Sequence, residues 1–135
     1  MLEIPQVMLD LIEAHARRDH PDECCGIITA RAGRPSRLIE MDNADRSPTG
    51  FTFDSAEWLR VYREVDHADE DFHVVYHSHT MTEAHPSRTD VLWSRTTPFA
   101  HWLLVSTRDP DVLEARSYTI VDGTVAEEEL RVTPG

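Results

Sequence analysis

The chain has 135 residues, which suffices for one compact domain (residues 1–135) with a single core and leaves no room for a second domain. Its formal net charge is -12, from 25 acidic and 13 basic residues without a Lys/Arg cluster, and this argues against nucleic-acid binding, because phosphates require a basic surface. No apolar run is long enough for a membrane-spanning helix or a secretion signal, and the two cysteines are adjacent rather than spaced for disulfides, so we expect a cytoplasmic protein.

The first forty residues predict a helix followed by a hairpin. Apolar side chains recur at three- and four-residue spacing after Pro5, a residue that suits the first turn of a helix, and the pattern predicts that this helix ends before Pro21. Residues 25–31 and 37–42 are rich in strand-forming residues, and the turn residues of 32–35 between them predict a β-hairpin.

The middle of the chain predicts a loop and a second helix. Residues 43–50 are turn formers and predict the loop, and Asp54 and Glu57 then have the spacing of a helix N-terminal cap. The helix has one apolar face, formed by Trp58, Val61, Tyr62 and Val65. The acidic stretch 66–71 is most simply interpreted as the solvated end of this helix.

The C-terminal half predicts four strands. Residues 72–79 are rich in β-branched and aromatic residues and predict a buried strand, and residues 101–107 predict another. Residues 114–121 and 124–132 flank Asp122-Gly123, which is a strong hairpin signal. The order of these elements predicts an α/β domain with a mixed, largely antiparallel sheet and helices packed against it.

Residues 76–90, YHSHTMTEAHPSRTD, combine several side chains that can bind a metal. Because alternate residues of a strand share a face, His77 and His79 are expected to point together at the end of the strand 72–79. Asp90 follows after a loop that is long enough to fold back to the strand end. Two histidines and a carboxylate are a usual ligand set for a catalytic zinc, which lowers the pKa of a bound water to about 7.

Such a site also needs a base for the water and a hydrogen-bond donor for the oxyanion. Ser87 lies three residues before Asp90, so the two face the same side if a helix begins there, and the Ser87 hydroxyl can then donate. Glu23, just before the first predicted strand of the hairpin, is the best candidate for the base. Each feature alone has a structural alternative: histidines bonded to backbone, a helix cap at Ser87 and Asp90, and a solvated loop acid at Glu23. Their combination in a strand–loop–helix context favours the metal site.

The other histidines and the cysteines receive mainly structural interpretations. His85 breaks the spacing and is interpreted as a loop residue or a substrate contact. Five histidines have no partner that the sequence reveals and are expected at the surface or in the core: His15, His20, His67, His73 and His101. Cys24 and Cys25 raise a rival mechanism, a thiol nucleophile activated by histidine. Adjacent cysteines more often fill the start of a strand, and a thiol enzyme would leave the His-Ser-His motif unexplained.

The spacing of Glu23, the His77-Ser78-His79 triplet and Asp90 preceded by Ser87 resembles the JAMM (MPN-plus) metalloprotease signature, and the resemblance covers almost the whole chain. It implies a JAMM/MPN domain, with a cytidine-deaminase-like fold, that uses zinc to cleave peptide or isopeptide bonds at the C-terminus of ubiquitin-like proteins. By this resemblance, the zinc ligands are His77, His79 and Asp90. Glu23 is then the general acid/base, and Ser87 stabilises the tetrahedral intermediate.

Five segments are also similar to the actinobacterial Mec-type hydrolases, namely HARRDHPDE, NADRSPT, YHSHTMTEAHPSRTD, LVSTRDP and RSYTIVDG. This narrower resemblance implies that the substrate is a small ubiquitin-like sulfur-carrier protein with cysteine amide-linked to its terminal glycine. Hydrolysis would release cysteine as a step of cysteine biosynthesis. Two alternatives stay open: a peptidase that trims a sulfur carrier in another pathway, and a metal-free MPN scaffold. No feature of the sequence sets the oligomeric state, and a homodimer is compatible with it.

Overall fold

The structure is a computed structural model that describes all residues from 1 to 135. Its helices are α1 Gln6–Asp19, α2 Ser55–His67 and α3 Arg88–Ser94. Its strands are β1 Leu2–Pro5, β2 Cys25–Arg31, β3 Arg34–Met41, β4 Asp71–His79, β5 His101–Ser106, β6 Glu114–Val121, β7 Thr124–Glu128 and β8 Leu130–Thr133. No helix is long and apolar enough to cross a membrane.

One six-stranded sheet dominates the domain, in the order β3-β2-β4-β5-β6-β7. Only the central pair β4 and β5 is parallel, and the other neighbours are antiparallel. The short strands β1 and β8 form a separate parallel pair. The predicted α/β domain with a mixed, largely antiparallel sheet is therefore confirmed.

The capping residues in the sequence correctly predict where both long helices begin. Pro5 is the residue that caps α1, and the Asp54 side chain accepts a hydrogen bond of 2.9 Å from the backbone N–H of Glu57 at the start of α2. The first hairpin is tighter than predicted, because its turn consists only of Ala32 and Gly33, both with positive φ (53° and 77°), as two-residue hairpin turns require. β3 consequently begins at Arg34, not at residue 37.

The predicted strand 124–132 is in fact two strands. β7 ends at Glu128, and β8 leaves the sheet to pair with β1, with Leu2 opposite Leu130. The Glu128 carboxylate is held by His101 at 2.7 Å and by Ser117 at 2.8 Å, which anchors the end of β7 to the neighbouring strands. An alternating pattern predicts extended backbone but not the strand with which it pairs, so the sequence did not reveal this change of partner.

The sheet carries a separate core on each face. Leu103 and Val105 point toward α1, whereas Trp102 and Leu104 point to the opposite core, which also receives Val61 and Val65 of α2. His77 alternates with Tyr76 in the same way, so its imidazole lies on the α2 side. The sheet therefore presents the predicted histidine pair to the space between α2 and α3.

The acidic stretch 66–71 is not uniformly solvated, because Glu70 is buried. Its carboxylate accepts hydrogen bonds from Arg37 (2.7 and 3.0 Å), from Ser36 (2.8 Å) and from Thr29 (3.0 Å). The Arg37 guanidinium, helped by the two hydroxyls, lowers the pKa of Glu70 to about 2 although burial acts in the opposite direction. Glu70 thus ties the end of α2 to β2 and β3, and the interpretation of residues 66–71 as a solvated end is wrong at this residue.

We expect Glu70→Gln to lower the free energy of unfolding at neutral pH by about 2 kcal/mol, because hydrogen bonds to a buried charged group are lost. The folded-state pKa is depressed from 4.5, so this contribution is complete above pH 4.5 and disappears as the pH falls toward about 2. Denaturant unfolding of both proteins across that range measures the effect. Glu64→Gln, which removes an exposed partner of Arg60, is the control and should change the stability by no more than about 1 kcal/mol.

Candidate active site

His77 and His79 lie side by side at the end of β4, as their spacing predicted. Their ring centroids are 5.1 Å apart, and both residues are buried. The Nδ1 atom of His79 lies 2.8 Å from the backbone carbonyl of Glu83. A carbonyl can only accept, so Nδ1 carries the proton and the Nε2 lone pair of His79 is free to bind a metal.

The backbone of the two neighbouring strands places Glu23 beside the histidines. Ser78 points away from the site and holds the chain next to Glu23, because its Oγ accepts from the Cys24 N–H (2.8 Å) and its own N–H donates to the Cys24 carbonyl (3.1 Å). The Glu23 carboxylate is thereby brought to the two imidazoles, and the nearest ligand atoms of the three residues all lie within 4.8 Å of one another. Glu23 is buried, not the solvated loop acid of the alternative interpretation.

The start of α3 supplies the remaining two predicted residues. Ser87 caps the helix: its Oγ accepts from the Asp90 N–H (3.2 Å), while the Asp90 Oδ2 accepts from the Ser87 N–H (2.8 Å). The same Asp90 Oδ2 lies 3.3 Å from Nε2 of His77. Ser87 and Asp90 therefore form the helix cap, and the same cap turns the Asp90 carboxylate toward His77. The Ser87 hydroxyl proton is not used by the cap, and Ser87 lines the cavity in front of the histidines.

Burial and mutual charge shift the pKa values of these groups. Burial, together with the nearby Asp90 carboxylate, raises the pKa of Glu23 to about 7 against a smaller opposing effect of His77. Burial also lowers the pKa of His79 and acts in the same direction on His77, but the Asp90 and Glu23 carboxylates together raise the His77 pKa. A carboxyl group with a pKa near neutrality can accept and return a proton at physiological pH.

The donor set fits a metal ion. Nε2 of the buried His77 faces the Asp90 carboxylate, and the hydrogen bond at Nδ1 of His79 leaves its Nε2 free, so two imidazole nitrogens and a carboxylate oxygen are available as ligands. The 3.3 Å between His77 and Asp90 is also the spacing of two ligands on one tetrahedral zinc, which at bond lengths of about 2.0–2.1 Å lie about 3.3 Å apart. His77, His79 and Asp90 can thus hold an ion, with Glu23 next to it.

A cavity of about 740 Å³ opens in front of these side chains. One wall is the loop between β3 and α2, whose Phe51 ring packs on the His77 ring with centroids 4.5 Å apart. Trp58 of α2 and Trp93 of α3 line the cavity as well. No pattern in the sequence predicts that these aromatic residues belong to the site. Phe51 in particular carries no spacing signal, because it follows a turn-rich loop and not a periodic segment.

The cysteines do not form a second reactive centre. Both are buried and free, and burial raises the pKa of Cys24 to about 12 and raises that of Cys25 as well. Thiols of this kind stay protonated at neutral pH, which removes the rival nucleophile. His85 is exposed, packs its ring edge against Tyr118 and does not line the cavity.

The chain is similar to known proteins in both sequence and fold. Residues 5–121 match the family described as prokaryotic homologs of the JAB domain. The CysO-cysteine peptidase of Mycobacterium tuberculosis (strain ATCC 25618 / H37Rv) is 56% identical over 127 residues, which cover 93% of this chain and 86% of that protein. The solution structure of protein DSY2949 from Desulfitobacterium hafniense superposes with a TM-score of 0.85 at 27% identity, over 100% of this chain and 94% of that chain.

The fold is also shared with a solved structure reported as "JAMM: a metalloprotease-like zinc site in the proteasome and signalosome". The TM-score is 0.59 at 18% identity, over 98% of both chains. The family match covers most of the chain, and the mycobacterial relative exceeds half identity over nearly all of it. The chain therefore belongs to the prokaryotic homologs of the JAB domain, which confirms the JAMM resemblance of its sequence.

Proposed function

We propose that this protein is a zinc-dependent hydrolase that cleaves the amide bond between cysteine and the C-terminal glycine of a small ubiquitin-like sulfur-carrier protein. The observation that carries the proposal is the convergence of Glu23, His77, His79 and Asp90 from three separate segments into one buried cluster at the base of an open cavity. The high identity to a mycobacterial CysO-cysteine peptidase supports the same substrate class, and release of cysteine would place the reaction in cysteine biosynthesis.

The proposed mechanism assigns a separate task to each side chain. His77, His79 and Asp90 hold the zinc ion, which when bound would polarise the scissile carbonyl and acidify a water molecule. Glu23 removes a proton from the attacking water and returns it to the nitrogen of the departing cysteine, so that the amide gives a carboxylate and a free amine. Ser87 donates a hydrogen bond from its hydroxyl to the oxyanion of the tetrahedral intermediate.

The cavity lining suits an extended peptide tail with small side chains. Besides Ser87, seven hydroxyl residues line it, with no lysine or arginine: Ser47, Thr49, Thr52, Ser55, Thr89, Thr96 and Thr97. Hydroxyls can donate to and accept from backbone amides, and the aromatic residues Phe51 and Trp58 supply apolar wall beside them. The last residues of a ubiquitin-like carrier have this character, and the partner we propose is therefore such a protein, not a free dipeptide.

The decisive experiment incubates the purified protein with carrier–cysteine and follows the products by mass spectrometry. We expect free cysteine and regenerated carrier, loss of the reaction after treatment with a chelator, and recovery on addition of zinc. A carrier with a longer C-terminal extension is the second substrate. Faster release of that extension than of cysteine would favour the trimming peptidase of another pathway. A protein without stoichiometric zinc and without cleavage of either substrate would be a scaffold.

A further inference from the structure

The loop between β4 and α3 is held in place by side chains from β5 and β6. Ser106 donates its hydroxyl to the Thr82 carbonyl (2.6 Å), and Tyr118 donates its hydroxyl to the Ala84 carbonyl (2.6 Å). The Ala84 N–H donates to the Glu114 carboxylate at 3.3 Å. Ser106, Tyr118 and Ala84 are buried, and the contact between Tyr118 and Ala84 is shielded from water. A loop of this length has no regular structure of its own, and its backbone conformation depends on these three side chains.

One peptide group of this loop connects Glu114 to His79. The Glu83 carbonyl that accepts from His79 Nδ1 and the Ala84 N–H that donates to Glu114 belong to the same planar amide. Any rotation of that amide therefore moves the hydrogen bond of His79 as well. Histidines that bind metals usually donate their second N–H to a carboxylate or a carbonyl, which fixes the ring orientation and the tautomer. The Glu114 carboxylate thus fixes the peptide group whose carbonyl, that of Glu83, orients the His79 ring.

Two arginines hold the carboxylate itself in position. Arg108 and Arg116 each approach Glu114 to 3.2 Å, one at each carboxylate oxygen. The short hydrogen bond from Tyr118 fixes the carbonyl of the next peptide group, Ala84–His85. The two peptide groups that meet at Ala84 are therefore each held by one residue of β6, 30 and 34 positions later in the chain.

We propose that Tyr118 and Glu114 are positioning residues of the metal centre, which act on His79 through the two peptide groups that meet at Ala84. The proposal rests on the proposed function only in that His79 binds the metal. The Glu83 carbonyl also accepts from the His85 N–H (2.9 Å), a contact within the loop itself. Without the two β6 side chains the loop loses its anchors to the sheet at Ala84, the Glu83 carbonyl is held less firmly, and the His79 ring with its free Nε2 is oriented less well toward the ion.

The test measures the zinc dissociation constant of the purified protein by competition with a chromophoric chelator. We expect Tyr118→Phe to weaken zinc binding about 10- to 100-fold, the usual effect of removing a residue that orients a metal ligand. Tyr76→Phe is the matched control, because Tyr76 is also a buried tyrosine of the sheet, with its hydroxyl 2.8 Å from His15 on the opposite face. It should lose comparable stability and keep its zinc affinity within about twofold.

A second pair of variants tests the same inference even if the Tyr118→Phe protein does not fold. Glu114→Ala should weaken zinc binding, whereas Glu114→Gln, which keeps an acceptor for the Ala84 N–H, should restore most of the affinity. In the metal-free protein, amide hydrogen exchange at Ala84 should be faster in Glu114→Ala than in wild type. Unchanged zinc affinity in both Tyr118→Phe and Glu114→Ala would overturn the inference. Failure of the wild-type protein to bind zinc or cleave the carrier would instead refute the proposed function.

Discussion

Glu23→Gln is expected to retain zinc and to lose turnover by a factor of about 10²–10⁴, the usual contribution of a general acid–base. The substitution keeps the shape of the side chain, and no hydrogen bond of the fold is formed by the Glu23 carboxylate, since the neighbouring chain is held through backbone atoms. A glutamine cannot take the proton from water or return it to the leaving amine. The measurement is the kcat of carrier–cysteine hydrolysis, with the zinc content determined on the same samples.

His77→Ala is the companion variant, because it removes a metal ligand and should abolish both zinc binding and turnover. Thermal unfolding of both variants separates loss of function from loss of fold. Glu23→Gln is expected to be at least as stable as wild type, since burial raises the pKa of the native carboxyl and therefore disfavours its ionised form. A Glu23→Gln protein with wild-type kcat would rule out Glu23 as the base.

Ser87 has two tasks in the structure, and paired substitutions can separate them. Ser87→Ala removes the helix cap as well as the hydroxyl, whereas glycine at a cap position is less favourable than serine by only a few tenths of a kcal/mol. We expect Ser87→Ala to lose about 1 kcal/mol of stability and Ser87→Gly much less. If the hydroxyl stabilises the oxyanion, both variants should lose turnover by a similar factor of about 10²–10³.

The steady-state kinetics of the two variants decide between the interpretations. If Ser87 acts only as a helix cap, the turnover of each variant should depend on its stability. The kcat of Ser87→Gly would then be close to that of wild type, and the kcat of Ser87→Ala would be lower. Because the hydroxyl acts in the transition state, the loss should appear in kcat with little change in KM. Wild-type kcat in Ser87→Gly would remove the oxyanion role and leave the helix cap as the function of this residue.

The histidine pair could be predicted because the signal is local. Alternation along a strand places His77 and His79 on one face whatever the rest of the fold does, and the cap spacing predicts the turn at Ser87 and Asp90. The joining of Glu23 to this cluster is different, since it depends on the register of β2 against β4, in which Cys25 faces His77. Composition and periodicity do not encode that register; the position of Glu23 just before a strand makes it a candidate base, and the order of the motif residues, which resembles a known family, supports the same role.

The walls of the cavity and the buried Glu70 were not predicted, for a common physical reason. Phe51 contacts His77 and Glu70 contacts Arg37 only after distant segments have packed, and the sequence around each residue reads as a solvated loop. An acidic run is usually exposed, so the burial of one member becomes visible only when its cationic and hydroxyl partners are found in three dimensions. The partner of β8 was missed for the same reason, because pairing with β1 joins opposite ends of the chain.

The position of β4 in the middle of the sheet has a consequence for the persistence of the metal centre. The backbone of His77 is paired with β2 on one side and with β5 on the other, and His79 is paired with β5, so neither histidine moves far without disruption of the sheet. Segments at the periphery, such as the seven-residue helix α3, open far more often than central strands do. The two histidines would thus be the durable part of a metal centre, and Asp90 on α3 would be the ligand whose local opening lets an ion exchange.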